Sequence, residues 1–250
     1  MKVTIVGCSG SYPGPDSPAS CYLLEADGFR MLLDLGNGSL GALQRHIGLY
    51  DVDAICLSHL HADHCLDLCS YHVARTYGPA APYPAVPVYA PADAPSRLAA
   101  AYGMPDEPGL ETAFDFVPLA PGSFEIGPFT LTAGLVNHPV EAYGFRVANG
   151  KRSVAYSGDT GECDELVKLA SGADLLLCEA SFVEQPGLPV DLHLTGRQAA
   201  EHAAKADVGR LVLTHLVPWN DQATVLSDAS RGGYDGPVEL ARSGAVYDLA

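Results

Sequence analysis

The sequence predicts an α/β fold of two mixed sheets with helices packed on their outer faces, in a single domain over residues 1–250. Three observations carry this reading. The first half is rich in strand-like runs joined by short turns. The second half alternates strand and helix, which suits sheets covered by helices. No long linker interrupts the chain, and 250 residues at 48% apolar composition are enough to bury a large core.

The elements follow in order. KVTIVG opens the fold as a strand; one lysine and four apolar residues before glycine are too few for a signal-peptide core, so the expected location is cytoplasmic. SCYLLEA and FRMLLDLG read as the next strands, and GSLGALQRHIG as a helix. DAICLSH is a strand, followed by the helical CLDLCSYHVARTYG. The Pro-rich 76–87 segment is a stiff surface loop or lid. PVYA, the helix ADAPSRLAAAYG, and the strands AFDFVPL, FTLTAGLVNH, YGFRVA and RSVAYSGD complete the middle. The helix ECDELVKLASG, strand DLLLCEAS, helix TGRQAAEHAAKADV, strand RLVLTH, helix NDQATVLSDASRGG and strand AVYDL finish the chain. A second loop, 182–191, lies between two candidate site residues. No apolar run reaches the roughly 20 residues that span a bilayer.

Charge narrows the partners. With 14 basic and 30 acidic residues the net charge is −16, and Lys151-Arg152 is the only adjacent basic pair. A surface that grips a nucleic-acid backbone needs clustered Lys and Arg. Large polyanions are therefore disfavoured, whereas a small phosphate ester held by a metal is not. The seven cysteines include no CxxC pair and read as reduced, buried packing residues.

The chemistry concentrates in SHLHADHCLDL, residues 58–68, where His59, His61, Asp63 and His64 follow an apolar run. Two residues apart in extended chain, His59 and His61 point the same way and can chelate one ion. A helix starting near Asp63 would turn Asp63 and His64 towards a second ion. His138, Asp159, Glu179 and His215 also follow apolar runs, and five such endings exceed what packing explains. AICLSHL and LVLTHLV echo each other, as if two half-units each offered a ligand at a strand end. Imidazole and carboxylate ligands suit zinc, and manganese or iron also. Five histidines and two aspartates suffice for two divalent ions if one carboxylate bridges, and such pairs acidify water and brace a departing oxygen. His46, His72 and His202 lack this spacing and read as packing or surface residues.

These motifs resemble the metallo-β-lactamase fold, whose signature HxHxDH matches SHLHADH, with LVNH, YSGDT and VLTH as the later ligand motifs. The opening TIVGCSGSYPGPDSPASCYLL resembles the ribonuclease Z-like branch, and from end to end the chain is similar to actinobacterial, atypical zinc-dependent cyclic nucleotide phosphodiesterases. The resemblance implies an αββα sandwich with His59, His61 and His138 on one ion, Asp63, His64 and His215 on the other, and Asp159 bridging. It also implies that His193 in DLHLTG protonates the leaving oxygen, oriented by Glu179 in CEASF, with Asp63 counted in the catalytic group. Dimers occur in the branch, so a homodimer is implied.

The expected reaction is hydrolysis of adenosine 3′,5′-cyclic phosphate to the 5′-monophosphate. Ribonuclease Z-like RNA cleavage and thioester or lactone hydrolysis are the alternatives. Transfer-RNA processing members carry a basic arm between the third and fourth ligand motifs. Here only 20 residues separate His138 from Asp159, and they read as strand-turn-strand. Zinc β-lactamases usually place Arg where His64 stands. Trp219 is the candidate for stacking on a base, with Tyr77 and Tyr83 behind it. GNGSLG at 36–41 fits GxGxxG, but the following strand runs into His59 rather than an acidic ribose ligand; its glycines read as a tight turn.

Overall fold

A computed structural model describes residues 1–249. Strands β1 (Lys2–Gly7), β2 (Cys21–Ala26) and β3 (Phe29–Leu33) form an antiparallel meander. β4 (Ala54–Cys56), β5 (Val86–Ala90) and β6 (Phe114–Pro118) then extend it in parallel beyond β3. The second sheet repeats the plan. β7 (Gly122–Ile126), β8 (Phe129–Leu135), β9 (Tyr143–Asn149) and β10 (Arg152–Tyr156) are antiparallel, and β11 (Leu175–Glu179), β12 (Leu211–Thr214) and β13 (Val238–Leu240) follow in parallel. β14 (Val246–Asp248) returns to pair with β1. Each sheet thus has seven strands, ordered β14-β1-β2-β3-β4-β5-β6 and β13-β12-β11-β10-β9-β8-β7.

Side-chain alternation sorts the strands into three apolar layers. Met31, Leu33, Cys56, Leu131, Phe145, Leu175 and Leu177 fill the space between the sheets. Leu32, Ile55 and Leu57 face the other way, against α1 (Ser39–Leu43), α3 (Asp67–Tyr77) and α4 (Ala94–Tyr102). Leu176, Cys178, Leu211 and Leu213 pack on α5 (Asp164–Ala170), α6 (Gly196–Ala206) and α7 (Gln222–Ala229). Strands buried on both faces explain why the parallel runs read as continuous apolar stretches rather than alternating ones. This is the two-sheet, outer-helix α/β fold that the sequence predicts.

Two strands escape the sequence reading. β7 carries Gly122, Ser123 and Glu125, and β13 is three residues long; both are edge strands with little apolar signal. The helix after the HxHxDH stretch breaks in two. α2 (Ala62–Cys65) starts at His61, which stays extended, and Leu66 separates it from α3. Asp67 then accepts a hydrogen bond from the Leu40 N–H at 2.8 Å, tying this corner to α1. Thr195 caps α6 through a reciprocal box with Gln198, and Asp221 caps α7.

All seven cysteines are free, and burial pushes the Cys65 thiol up to about 12, so it stays a protonated packing group. The Pro-rich segment is packed on the protein surface: Tyr83 stacks on Tyr50 at 4.0 Å, and the Arg75 guanidinium donates to the Pro84 carbonyl. Among the described residues no helix is long and apolar enough to cross a membrane.

Candidate metal centre

Two groups of ligand atoms converge where the strand ends of both sheets meet. His59, His61, His138 and Asp159 form one, and Asp63, His64, Asp159 and His215 the other; within each, the atoms lie within 4.8 Å of one another. Asp159 belongs to both. Both sheets contribute: His59 follows β4 by three residues in the first sheet, with His61, Asp63 and His64 just beyond it, and His138, Asp159 and His215 follow β8, β10 and β12 in the second. The two echoing motifs thus follow parallel strands, β4 next to the antiparallel strands of its sheet and β12 one strand further out in the other.

Hydrogen bonds fix which ring nitrogen faces inward. His64 Nδ1 donates to Asp34 Oδ2 at 2.7 Å, which leaves Nε2 bare. His215 Nδ1 donates to Ser181 Oγ at 2.6 Å, and Ser181 Oγ in turn donates to Glu179 Oε2 at 2.8 Å. His138 Nδ1 donates to the Leu192 carbonyl at 2.9 Å. His59 Nδ1 lies 3.1 Å from Ser58 Oγ, whose own proton goes to Asp34 at 2.8 Å. All four rings therefore aim Nε2 at the centre, the arrangement that carboxylate and carbonyl partners impose on metal-binding histidines. His61 inverts the pattern, with Nδ1 2.9 Å from His59 Nε2 and 3.3 Å from His138 Nε2.

The result is a crowd of lone pairs. His64 Nε2 and Asp159 Oδ1 are both buried without a hydrogen-bond partner, and they face each other at 3.3 Å. His59 Nε2 lies 3.6 Å from Asp159 Oδ2, and His215 Nε2 3.0 Å from Asp63 Oδ2. Acceptors packed against acceptors in a buried site are costly unless cations sit among them. The donor set, imidazole nitrogen and carboxylate oxygen, fits divalent ions of the zinc type. Burial pushes His59, His61 and His138 down, towards the neutral ligating form.

Beside the second group stands a further pair. His193 Nδ1 donates to Glu179 Oε1 at 2.9 Å, which leaves Nε2 free. Glu179 is fully buried at the end of β11 and accepts also from the Thr160 N–H at 2.7 Å, so its orientation is fixed. Burial opposes the His193 cation, but the Glu179 carboxylate outweighs it and raises the ring to about 9. Phe182 packs edge-on against the imidazole at 5.2 Å.

The backbone around the centre is shaped for close approach. His215 has φ 52, a left-handed conformation worth about 1 kcal/mol or more of strain, which swings its ring off the line of β12. Gly10 lies against it: a Cβ there would meet the His215 carbonyl oxygen at 2.5 Å and Nδ1 at 2.7 Å. In GNGSLG, Gly36 leaves room for the Asp63 carbonyl, which a Cβ would meet at 1.9 Å. Gly36 thus packs the loop against the ligand-bearing turn, while Gly38, with φ 84, makes the turn the sequence predicts.

Sequence reasoning passed over Asp34. It ends the apolar run MLLD as the other site residues end theirs, but it lies outside the HxHxDH stretch. The structure buries it fully, with φ 60, accepting from the Ser58 N–H (2.7 Å), Ser58 Oγ (2.8 Å), His64 Nδ1 (2.7 Å) and Tyr156 Oη (2.7 Å). Ser11 was also missed; its N–H donates to Asp63 Oδ2 at 2.8 Å. Asp34→Asn turns one acceptor into a donor against three donors. Metal affinity should fall about ten- to a hundredfold, read by chelator competition. An unchanged dissociation constant would remove Asp34 from the ligand-orienting role.

Trp219 stands at the mouth, 70% exposed, in a cavity that His193 also lines. Tyr77 and Tyr83 lie with the Pro-rich segment and line none of the cavities around His193. His46 is exposed, and His202 is buried with Nδ1 on the Gln198 carbonyl and Nε2 accepting from the Cys163 N–H. His72 is buried beside Tyr102.

Residues 30–216 match the family described as the β-lactamase superfamily domain. The chain belongs to that superfamily, in its ribonuclease Z-like branch. It is 31% identical to a ribonuclease Z of Mycolicibacterium gilvum, over 87% of this chain and 85% of the relative. An uncharacterized protein of Mycobacterium tuberculosis is 46% identical over the whole chain and 92% of its own length. The probable metallo-hydrolase YhfI of Bacillus subtilis is 29% identical over 99% of this chain and its own full length. The crystal structure of YhfI superposes with a TM-score of 0.87 over 98% of both chains. The fold is thus the metallo-β-lactamase fold of metal-dependent hydrolases.

Proposed function

We propose that the chain hydrolyses small phosphodiesters, with a 3′,5′-cyclic nucleotide as its substrate and the 5′-monophosphate as product. The observation that carries this is the His193–Glu179 pair beside the two ligand groups. His59, His61 and His138 would hold one divalent ion, Asp63, His64 and His215 a second, and Asp159 both. Ions bound there would acidify water and neutralise charge on the phosphate. His193, whose cation Glu179 favours, offers its Nε2 proton to the departing 3′ oxygen; a thioester departs as a thiolate with less need of an acid, so the pair favours an alkoxide leaving group. Glu179 keeps the ring in place and charged. Ser181 connects Glu179 to His215, so the acid and one ligand share a single hydrogen-bonded frame.

The surroundings support a small substrate. The cavity of about 340 Å³ on one side of His193 is lined by Glu162, Glu184 and Asp191 and by no Lys or Arg. The chain between His138 and Asp159 is the β9–β10 hairpin, with no projecting arm. Both features work against a polyanion, as does the net charge of −16. RNA cleavage is the second reading, favoured by the 31% identity to a ribonuclease Z.

The test presents metal-replete protein with adenosine 3′,5′-cyclic phosphate, bis(p-nitrophenyl) phosphate, a thioester and a transfer-RNA precursor with a 3′ trailer. Preferred turnover of the cyclic nucleotide is expected. Preferred cleavage of the precursor would move the function to RNA, and turnover of the thioester alone to acyl hydrolysis.

A further inference from the structure

We infer that the cleft beside His193 is a nucleobase subsite, in which a purine stacks on Trp219 and Asn220 reads its amino group. The inference rests on the phosphodiesterase reading of the neighbouring centre. Trp219 is the only tryptophan and lies four residues beyond His215. It is 70% exposed, although burying so large an apolar ring is strongly favourable. It is not loose: Tyr12 packs against it with ring centroids 5.4 Å apart and planes tilted by 35°. A ring held in place yet open to solvent is a prepared stacking surface, and every base has a face to offer it.

The space next to it has the right chemistry. Trp219 lines a cavity of about 390 Å³ together with Phe182, Leu188, Pro189, Asn220 and His193. That volume is typical of a small-molecule pocket. Its walls carry no Lys, Arg, Asp or Glu, in contrast to the carboxylate-lined cavity on the other side of the 182–191 loop. Apart from His193, at the end nearest the ligand groups, the lining is uncharged, so a flat, partly polar group fits the rest of the cleft better than a phosphate. His193 connects the two parts of the ligand, because it lines this cavity and its ligand atom lies within 4.8 Å of those of Glu179 and His215. A nucleotide with its phosphate at the metal groups would extend its base into this cleft.

Asn220 supplies the base-edge contact. Its Nδ2 donates to the Ser181 carbonyl at 2.7 Å, which fixes the amide plane. Oδ1 accepts no hydrogen bond among the described residues, so it can take one from an exocyclic amino group, as on adenine. Hypoxanthine presents a carbonyl there instead and would be disfavoured.

The single tryptophan makes the test direct. The metal-replete protein is titrated with adenosine 5′-monophosphate, and separately with ribose 5-phosphate, while Trp219 emission is followed. Saturable quenching by the nucleotide, with no change from ribose 5-phosphate, is expected. In Trp219→Ala the KM for adenosine 3′,5′-cyclic phosphate should rise about tenfold with kcat and metal content retained. Emission indifferent to the nucleotide, or an unchanged KM, overturns the subsite. Quenching without hydrolysis of any cyclic nucleotide keeps the subsite and removes the phosphodiesterase reading. Hydrolysis without quenching does the reverse.

Discussion

Asp159→Ala should lower kcat by about 10³-fold or more, because a metal pair contributes several kcal/mol of charge stabilisation and each factor of ten is about 1.4 kcal/mol. The reason is its place in both ligand groups. Removing any histidine weakens one group, whereas removing Asp159 takes an anionic ligand from each and leaves uncharged rings as the majority of donors. On the proposed two-ion reading, metal content after gel filtration should fall from two ions per chain. Asp159→Asn keeps the shape without the charge and guards against a variant that merely misfolds. Thermal unfolding gives a second readout. An ion that binds only the folded state stabilises it, so chelation should lower the Tm of the parent protein. In Asp159→Ala the same treatment should change Tm much less. Two bound ions and near-parent kcat in the variant would show that Asp159 does not bridge.

How much of this centre is legible in the sequence depends on how local each signal is. HxHxDH is compact, and its spacing alone places His59, His61, Asp63 and His64 around a turn between strand and helix. His138, Asp159 and His215 are legible as polar residues after apolar runs, since a sheet collects its strand ends on one rim. The structure brings all seven to two adjoining groups. Asp34 obeys the same pattern but has no metal-binding neighbour, so nothing in the text separates it from a turn aspartate. Its role comes from Tyr156 crossing between the sheets and from His64, 30 residues on, both donating to one carboxylate oxygen. Ser181 is similar: it matters because it stands between Glu179 and His215, and that depends on β11 and β12 being neighbours.

The fold shows the same division. Interior strands such as β11, buried on both faces, are long apolar runs and read easily. The edge strands β7 and β13 bury little and are specified by pairing with β8 and β12 rather than by their own composition. Loop function is harder still. The two Pro-containing loops look alike as text, yet 76–87 packs on Tyr50 at the outside of the first sheet, while 182–191 forms a wall of both cavities beside His193. Only the paths of the flanking strands decide which loop reaches the site. Gly10 and Gly36 make the same point, because what excludes a side chain there is a carbonyl oxygen from a distant turn.

His193→Ala should keep both metals and lose about 10²- to 10⁴-fold in kcat, the range for removing a general acid. The size of the loss should depend on the leaving group. In a cyclic nucleotide the 3′ oxygen leaves phosphorus as a ribose alkoxide that needs the proton, while p-nitrophenolate departs well without it, so bis(p-nitrophenyl) phosphate should lose far less. The pH profile tests the same assignment without deleting the ring. An acid must be protonated to act, so the rate should be full below the His193 pKa and fall as pH rises through it, towards about 9. Bound cations nearby stabilise the neutral ring and move this limb lower. Glu179 raises the pKa through its charge and its hydrogen bond, so Glu179→Gln should shift the limb to lower pH still, with the acid-side rate less affected. A merely structural Glu179 would lower the rate at every pH and leave the limb in place. Equal losses on both esters in His193→Ala, together with an unmoved limb in Glu179→Gln, would take the proton-donor role away from His193 and leave the ring as a wall of the nucleobase cleft.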